Sequence, residues 1–333
     1  MTTSSRRTTK LLATLLGGLV LFGASTALAQ VKLPLITFHS PSRGDFFTTS
    51  NPAWTCAYFN NCPAGTPTPA AHGYVIVGIQ GHVFNPANPQ PAGTNKLHLW
   101  FHPGRGDNFL TTDPNWAGAL GAVRDGYTLA RFEGYIPQTG SMPLKSYWSA
   151  TEGDNAAVTS FRWSVPAGYT EYRVEGHLLP PDNASCSGAP STSSAFVVQA
   201  NVVSRWNQPS SDFIGGDRIR FAAPADWYTY DYWGHTYPVR GYSFSSAAAG
   251  YPAPGRPILS LLARVTTGRI LVGNNWYEAG QWFQALGSQE DFSGPCGFYD
   301  STGVARGEVE TMFNDPNISD NSGGTTVTIQ QWF

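Results

Sequence analysis

Charged side chains are scarce in this 333-residue chain, with Asp, Glu, Lys and Arg together at 13%, about half the share usual in globular proteins. Once the three basic residues among the first 29 are set aside, 17 basic face 22 acidic residues. That balance argues against a nucleic-acid or anionic-membrane partner. Catalytic signatures are also missing: there is no Gly-x-Ser-x-Gly elbow, no HExxH, no CxxC and no phosphate-cradling glycine loop. The seven histidines are scattered. Carboxylates are too sparse to mark a glycosidase pair, although a fold can bring two distant ones together. No catalytic residue is therefore assigned. The long apolar run Leu11–Phe22 follows Arg6, Arg7 and Lys10, is broken by small residues and leads to Ala27-Leu28-Ala29. Residues 1–29 read as a cleavable secretory signal. The expected product is secreted or periplasmic and has no integral membrane segment.

What is present in the first half is repetition. Gly44-Asp45, Gly106-Asp107 and Gly153-Asp154 are each followed nine residues after the Asp by Trp54, Trp116 and Trp163. Each copy ends in Gly-Tyr with a further Gly seven residues past the Tyr: Tyr74 and Gly81, Tyr127 and Gly134, Tyr169 and Gly176. Three units of about 45 residues, each unable to bury its apolar face alone, predict a single three-copy domain over 31–180. With several short strands per copy, a β-trefoil is the expected closure, since a propeller usually has at least four blades. The Asp residues are expected to cap neighbouring backbone N–H groups. The tryptophans are expected in core layers, with a sugar platform as the other reading. The two Arg-Gly-Asp triplets fall on this repeat, so an integrin role is set aside as coincidence. The pattern resembles a repeat family of exported proteins labelled DUF5648, which implies a trefoil-like module and no reaction.

The second half reads as short strands broken by Gly and Pro, the pattern of an all-β sandwich or jelly roll. The segment 181–194 has linker composition, so the sandwich is placed at 195–333. Near its end, the loop Asn314–Gly323 lies between two strand-like runs. It gathers Asp315, Asn317, Ser319, Asp320 and Asn321, an oxygen-rich set suited to a hard cation such as Ca²⁺. A polar hairpin loop with Asx-turns is the alternative. The GDRIRF strand, Trp227–Tyr230, Trp233-Gly234, SLLARV and NDPNISDNSG resemble the calcium-dependent galactophilic lectins of the LecA (PA-IL) type. That resemblance implies calcium ligands at the Tyr230 carbonyl, Asp315, a carbonyl near Asn317, Asp320 and Asn321, with sugar hydroxyls completing the coordination sphere. Asp315, Asp320 and His235 are the implied sugar contacts. Two departures stand out. The loop is two residues shorter, with Asp320 where the lectin has an Asn, and Gly250–Pro257 lacks the His and Gln that select galactose.

Four cysteines in an exported chain predict two disulfides, for which three connectivities exist. The closeness of Cys56 and Cys62 favours their pairing and leaves Cys186 with Cys296. An insertion at Leu286–Gly303 adds Glu290 and Asp291. The resulting expectation is a secreted, two-domain, all-β lectin-like protein that binds glycans or glycoconjugates, galactose-like sugars among them, through Ca²⁺. The alternatives are a carbohydrate-active enzyme or toxin accessory protein whose modules target glycans, and a surface protein whose calcium is structural.

Overall fold

The computed structural model describes residues 31–161, 165–181, 184–206, 213–223, 235–242, 248–286, 293–302 and 306–333, and the backbone of 227–230. The signal segment, Trp163, Trp233-Gly234, Glu290 and Asp291 lie outside the described residues. Val31–Phe333 forms one compact unit, and it is all-β in character. No described helix is long and apolar enough to cross a membrane.

Each copy of the repeat builds the same motif. A long strand (Lys32–Ser40, Thr94–His102, Met142–Ser149) pairs antiparallel with a short one (Asp45–Thr49, Asp107–Thr111, Asp154–Val158). Its other edge pairs with a second long strand (Val75–Phe84, Tyr127–Pro137, Tyr169–Leu178), and bulges shift each of these registers. The turn between the long and short strands needs a left-handed residue. Gly44, Gly106 and Gly153 occupy it at φ +66°, +72° and +68°.

The copies join in a closed ring. Thr49 Oγ1 and the Ser50 N–H of copy one donate to the Glu133 carboxylate of copy two, at 2.8 and 2.7 Å. Thr111 Oγ1 and the Thr112 N–H of copy two donate to Glu175 of copy three, at 3.0 and 2.6 Å. Thr159 N–H and Oγ1 of copy three donate to Gln80 Oε1 of copy one, at 2.8 and 2.9 Å. The residue after each acceptor is a repeat glycine. A Cβ on Gly134 would stand 2.5 Å from the Phe84 carbonyl oxygen, and one on Gly176 2.8 Å from that of Pro137. Only glycine permits this approach of successive copies. The described strands form antiparallel sheets and close no barrel, so the cyclic three-copy plan is present without the strand barrel of the expected trefoil.

The aromatic repeats fill the copies. Trp54 packs edge-on against Phe38, Phe47 and Tyr74, with centroids 4.7–5.5 Å apart. Trp116 does the same with Trp100, Phe109 and Tyr127. In copy three, Phe161 meets Tyr147 and Tyr169.

The second half is a sandwich of two sheets. One runs, in spatial order, Thr192–Gln199, Gly324–Trp332, Arg218–Ala222, Gly297–Asp300, Arg269–Val272, Asn275–Glu278. The other runs Ser204–Trp206, Val309–Phe313, Leu261–Val265, Phe283–Gln284. Phe221, Val327 and Ile329 from the first sheet and Leu261, Val265 and Phe313 from the second bury against one another. The first strand starts at Thr192 rather than at 195, because pairing with the last strand already holds at Thr192↔Gln331.

No sheet crosses from one half to the other, yet Leu271 and Phe298 of the sandwich belong to the same apolar cluster as Leu35, Ile79 and Met142. Asp300 is fully buried at this junction, bound by Arg269 Nε at 3.0 Å and by the Ser141 hydroxyl. The disulfides are Cys56–Cys62 and Cys186–Cys296. The second ties the segment between the halves to the sandwich. Such pairs persist in oxidising compartments outside the cytosol.

Candidate functional site

The candidate loop is positioned by a buried amide that the sequence did not advertise. Asn314, fully buried at the end of Val309–Phe313, accepts from the Ala253 N–H at 3.1 Å. Its Nδ2 donates to the carbonyls of Ala253, Arg256 and Pro257 at 3.0–3.3 Å. Its own carbonyl receives the Leu259 N–H and so helps hold Leu259 at φ +57°, a conformation costly for a branched residue. One Asn thereby fixes the segment 253–259 beside the loop. Asn314→Ala should lower stability by about 2–3 kcal/mol, since several buried partners are left unpaired at once; chemical denaturation measures this directly.

From Asp315 onward the chain makes a tight polar turn. Asp315 Oδ1 accepts the Asn317 N–H at 2.9 Å, an Asx-turn. Asn317 Nδ2 donates to Asp320 Oδ2 at 2.7 Å and Ser319 Oγ donates to Asn317 Oδ1 at 2.7 Å. Asn321 Nδ2 crosses the loop to Asp315 Oδ2 at 2.9 Å. Four of the expected ligands are therefore gathered: Asp315, Asn317, Asp320 and Asn321. Tyr230 lies in a separate ribbon, paired with Thr236, and the exposed His235 ring stands 3.4 Å from the Tyr237 hydroxyl. Among the described residues, the hydrogen bonds of Asp315 to Asn321 close within the loop or reach Ala200, and none reaches Tyr230 or His235.

The donor set has the chemistry of a hard-cation site. It offers carboxylate and amide oxygens and no nitrogen or sulfur ligand. Asn321 is 5% exposed, and its Oδ1 is buried with no hydrogen-bond partner. A buried amide oxygen facing no donor is costly and is suited to coordinate a cation. Among the described residues no group of three or more His, Cys, Asp or Glu side chains stands ready to hold a metal ion. The loop has two carboxylates, so amide and carbonyl oxygens must supply the remaining contacts.

Beside the loop opens a cleft of about 520 Å³ lined by Pro252, Pro254, Arg256, Trp276, Tyr277 and Trp282. Trp282 and Ile318 of the loop pack against the same cluster of Ala253, Leu262 and Met312, so cleft and loop share one support. The Arg264 guanidinium covers Trp282 at 4.3 Å, and Arg256 Nη2 donates to the Tyr277 hydroxyl at 2.7 Å. Aromatic surfaces with amide and guanidinium donors at their edges suit sugar rings, which present an apolar face and polar rims.

In the first half, the repeated Asp and Tyr form one interaction. Asp45, Asp107 and Asp154 are 5%, 2% and 2% exposed and accept the hydroxyls of Tyr74, Tyr127 and Tyr169. They also cap backbone N–H groups of a neighbouring copy: Phe46 N–H donates to Asp154 at 3.1 Å, and Asn155 N–H to Asp107 at 3.0 Å. Burial raises the pKa of Asp45, and it pushes that of Asp154 up to about 9 while the Tyr169 and Phe46 bonds oppose it. Burial and the Asp partners raise all three tyrosines. These enclosed carboxyls hold the copies together, and no substrate reaches them. The Arg-Gly-Asp triplets are structural in the same way, with Arg43 stacked over Tyr74 and Arg105 over Tyr127 at 4.7 and 5.0 Å.

Comparison with known families, characterised proteins and solved structures finds no match for this chain.

Proposed function

We propose that the chain is an exported, non-catalytic carbohydrate-binding protein whose loop 315–321 takes a hard divalent cation, Ca²⁺, at the head of an aromatic cleft. The observation that carries this reading is the buried, unpartnered Asn321 Oδ1 within a loop of carboxylate and amide oxygens. When bound, the ion supplies a point of attachment for vicinal sugar hydroxyls. Asp315 and Asp320 hold it and accept hydrogen bonds from those hydroxyls, while the Trp282 cleft receives the apolar face of the sugar. In this reading residues 1–29 direct export. The likeness to the LecA-type lectins supports the loop assignment. The missing His and Gln in 250–257 place the sugar preference elsewhere than in that lectin's galactose contacts.

Calorimetric titration of Ca²⁺ into the disulfide-intact protein tests this, with Asp315→Ala alongside and galactose and other neutral monosaccharides added. Binding lost in the variant, with sugar heat only in calcium, is the expected result. Calcium binding with no sugar heat makes the ion structural and returns the protein to the surface-protein class. No calcium binding overturns the site.

A further inference from the structure

We propose that a second cavity, between the helix of copy one and the C-terminal strand, binds a small organic carboxylate, with Arg218 as the residue that receives the anion. The cavity measures about 290 Å³, room for a single sugar ring or aromatic acid, and is lined by Tyr58, Phe59, Ser187, Ser191, Arg218 and Trp332 among others.

Arg218 is 7% exposed. Its Nη1 donates to the Ser185 carbonyl at 3.3 Å, its Nη2 to the Tyr58 hydroxyl, and its plane lies 4.9 Å over the Tyr58 ring. Its Nε, equally buried, has no partner. Two residues on, and so on the same face of the strand, Arg220 donates to the Cys186 carbonyl at 3.0 Å and lies 5.3 Å over Trp332. Its Nε is also without a partner. Among the described residues, no carboxylate is within ion-pair distance of either guanidinium. A guanidinium keeps its charge under all ordinary conditions. Enclosing one with only neutral acceptors is therefore costly, and a second like charge on the same face raises that cost.

An incoming carboxylate supplies the missing charge and matches the planar fork of donors. The aromatic walls accept an apolar ring face, and the Ser187 and Ser191 hydroxyls are available to polar substituents. Both walls are cross-linked, the helix by Cys56–Cys62 and the facing segment by Cys186–Cys296. The cavity is thus preformed, and binding loses little to ordering. This site is separate in chemistry from the cation loop and independent of it.

The test is thermal unfolding and calorimetry of the disulfide-intact protein in EDTA, with glucuronate, N-acetylneuraminate and phenylacetate as probes and glucose as the uncharged control. At least one acid is expected to bind and, at about ten times its Kd, to raise Tm by about 2–4 °C. Glucose should have no effect. A response to the sugar acids alone assigns an acidic glycan, and a response to phenylacetate alone an aromatic acid. Arg218→Gln keeps a donor for Tyr58 and removes the charge. It should leave the Tm of the free protein unchanged or higher and weaken acid binding at least tenfold. Ser187→Asp, on the exposed wall, places a carboxylate inside the site. It should raise Tm without ligand and abolish the acid response, and it serves as the test if Arg218→Gln does not fold. The proposal is overturned if no acid shifts the wild type, or if acid binding survives both substitutions.

Discussion

Glu133→Ala should destabilise the protein by about 3–5 kcal/mol, the cost of removing one partner from a buried charged network. Glu133 is fully buried and receives Thr49 Oγ1, the Ser50 N–H and Ser50 Oγ across the joint between copies one and two. Truncation strands all three donors and leaves the Arg131 guanidinium, 3.4 Å away, without its counter-charge. The chain itself contains the control. Copies two and three carry Arg131-x-Glu133 and Arg173-x-Glu175, both ion-paired, whereas copy one carries Gly78-x-Gln80 at the same place. Charge and counter-charge are absent together, and Gln80 Oε1 makes the same contacts to Thr159. Glu133→Gln should therefore cost less than Glu133→Ala, and adding Arg131→Ala should recover part of that loss. Urea unfolding of the three variants measures the ranking. Equal stability of wild type and Glu133→Ala would show that the ring does not hold the copies together.

Stability should also fall as pH rises from 7 to 9, by about 2–3 kcal/mol, and Asp154→Asn should remove most of that slope. Burial lifts the Asp154 pKa from its ordinary value to about 9. The folded protein thus keeps a proton that the unfolded chain has released above about pH 4. A group with a raised folded pKa contributes stability below its unfolded pKa and loses it as pH climbs towards the folded value. Each pH unit in that window is equivalent to about 1.4 kcal/mol per proton. Asp45 is raised as well and sits in contact with Asp154, so the two carboxyls titrate as a pair. His39 and His98 are lowered by burial, and they release stability only on the acid side, outside the window. In Asp154→Asn the amide oxygen still accepts the Phe46 N–H and the Tyr169 hydroxyl, with no proton to lose. Thermal unfolding of both proteins at pH 7, 8 and 9 decides it: parallel curves would refute the shared proton.

These expectations rest on contacts of unequal visibility in the chain. The spacing of Gly-Asp, Trp and Gly-Tyr exposed three copies because each position obeys a local requirement: a left-handed turn residue, an aromatic filler, a glycine where backbones approach. Strand alternation announced an all-β protein, and a separation of six residues made Cys56–Cys62 legible as a short loop. The loop 315–321 was visible for the same reason, since its oxygens lie within seven residues of one another. What joins distant segments was not visible. The Glu133 and Glu175 ring, the proton between Asp45 and Asp154, the Asn314 clamp and the unpaired Arg218 all depend on partners 50 to 160 residues away. Nothing in a single sequence ranks such pairings. The sequence by itself determined the repeat, the turns and the strand character, because these are set by steric and hydrophobic rules acting over a few residues. Only the tertiary structure decided which polar groups are buried together and which lack a partner, because burial is a property of the assembled surface, where desolvation turns an ordinary Asp, Asn or Arg into a costly or reactive one.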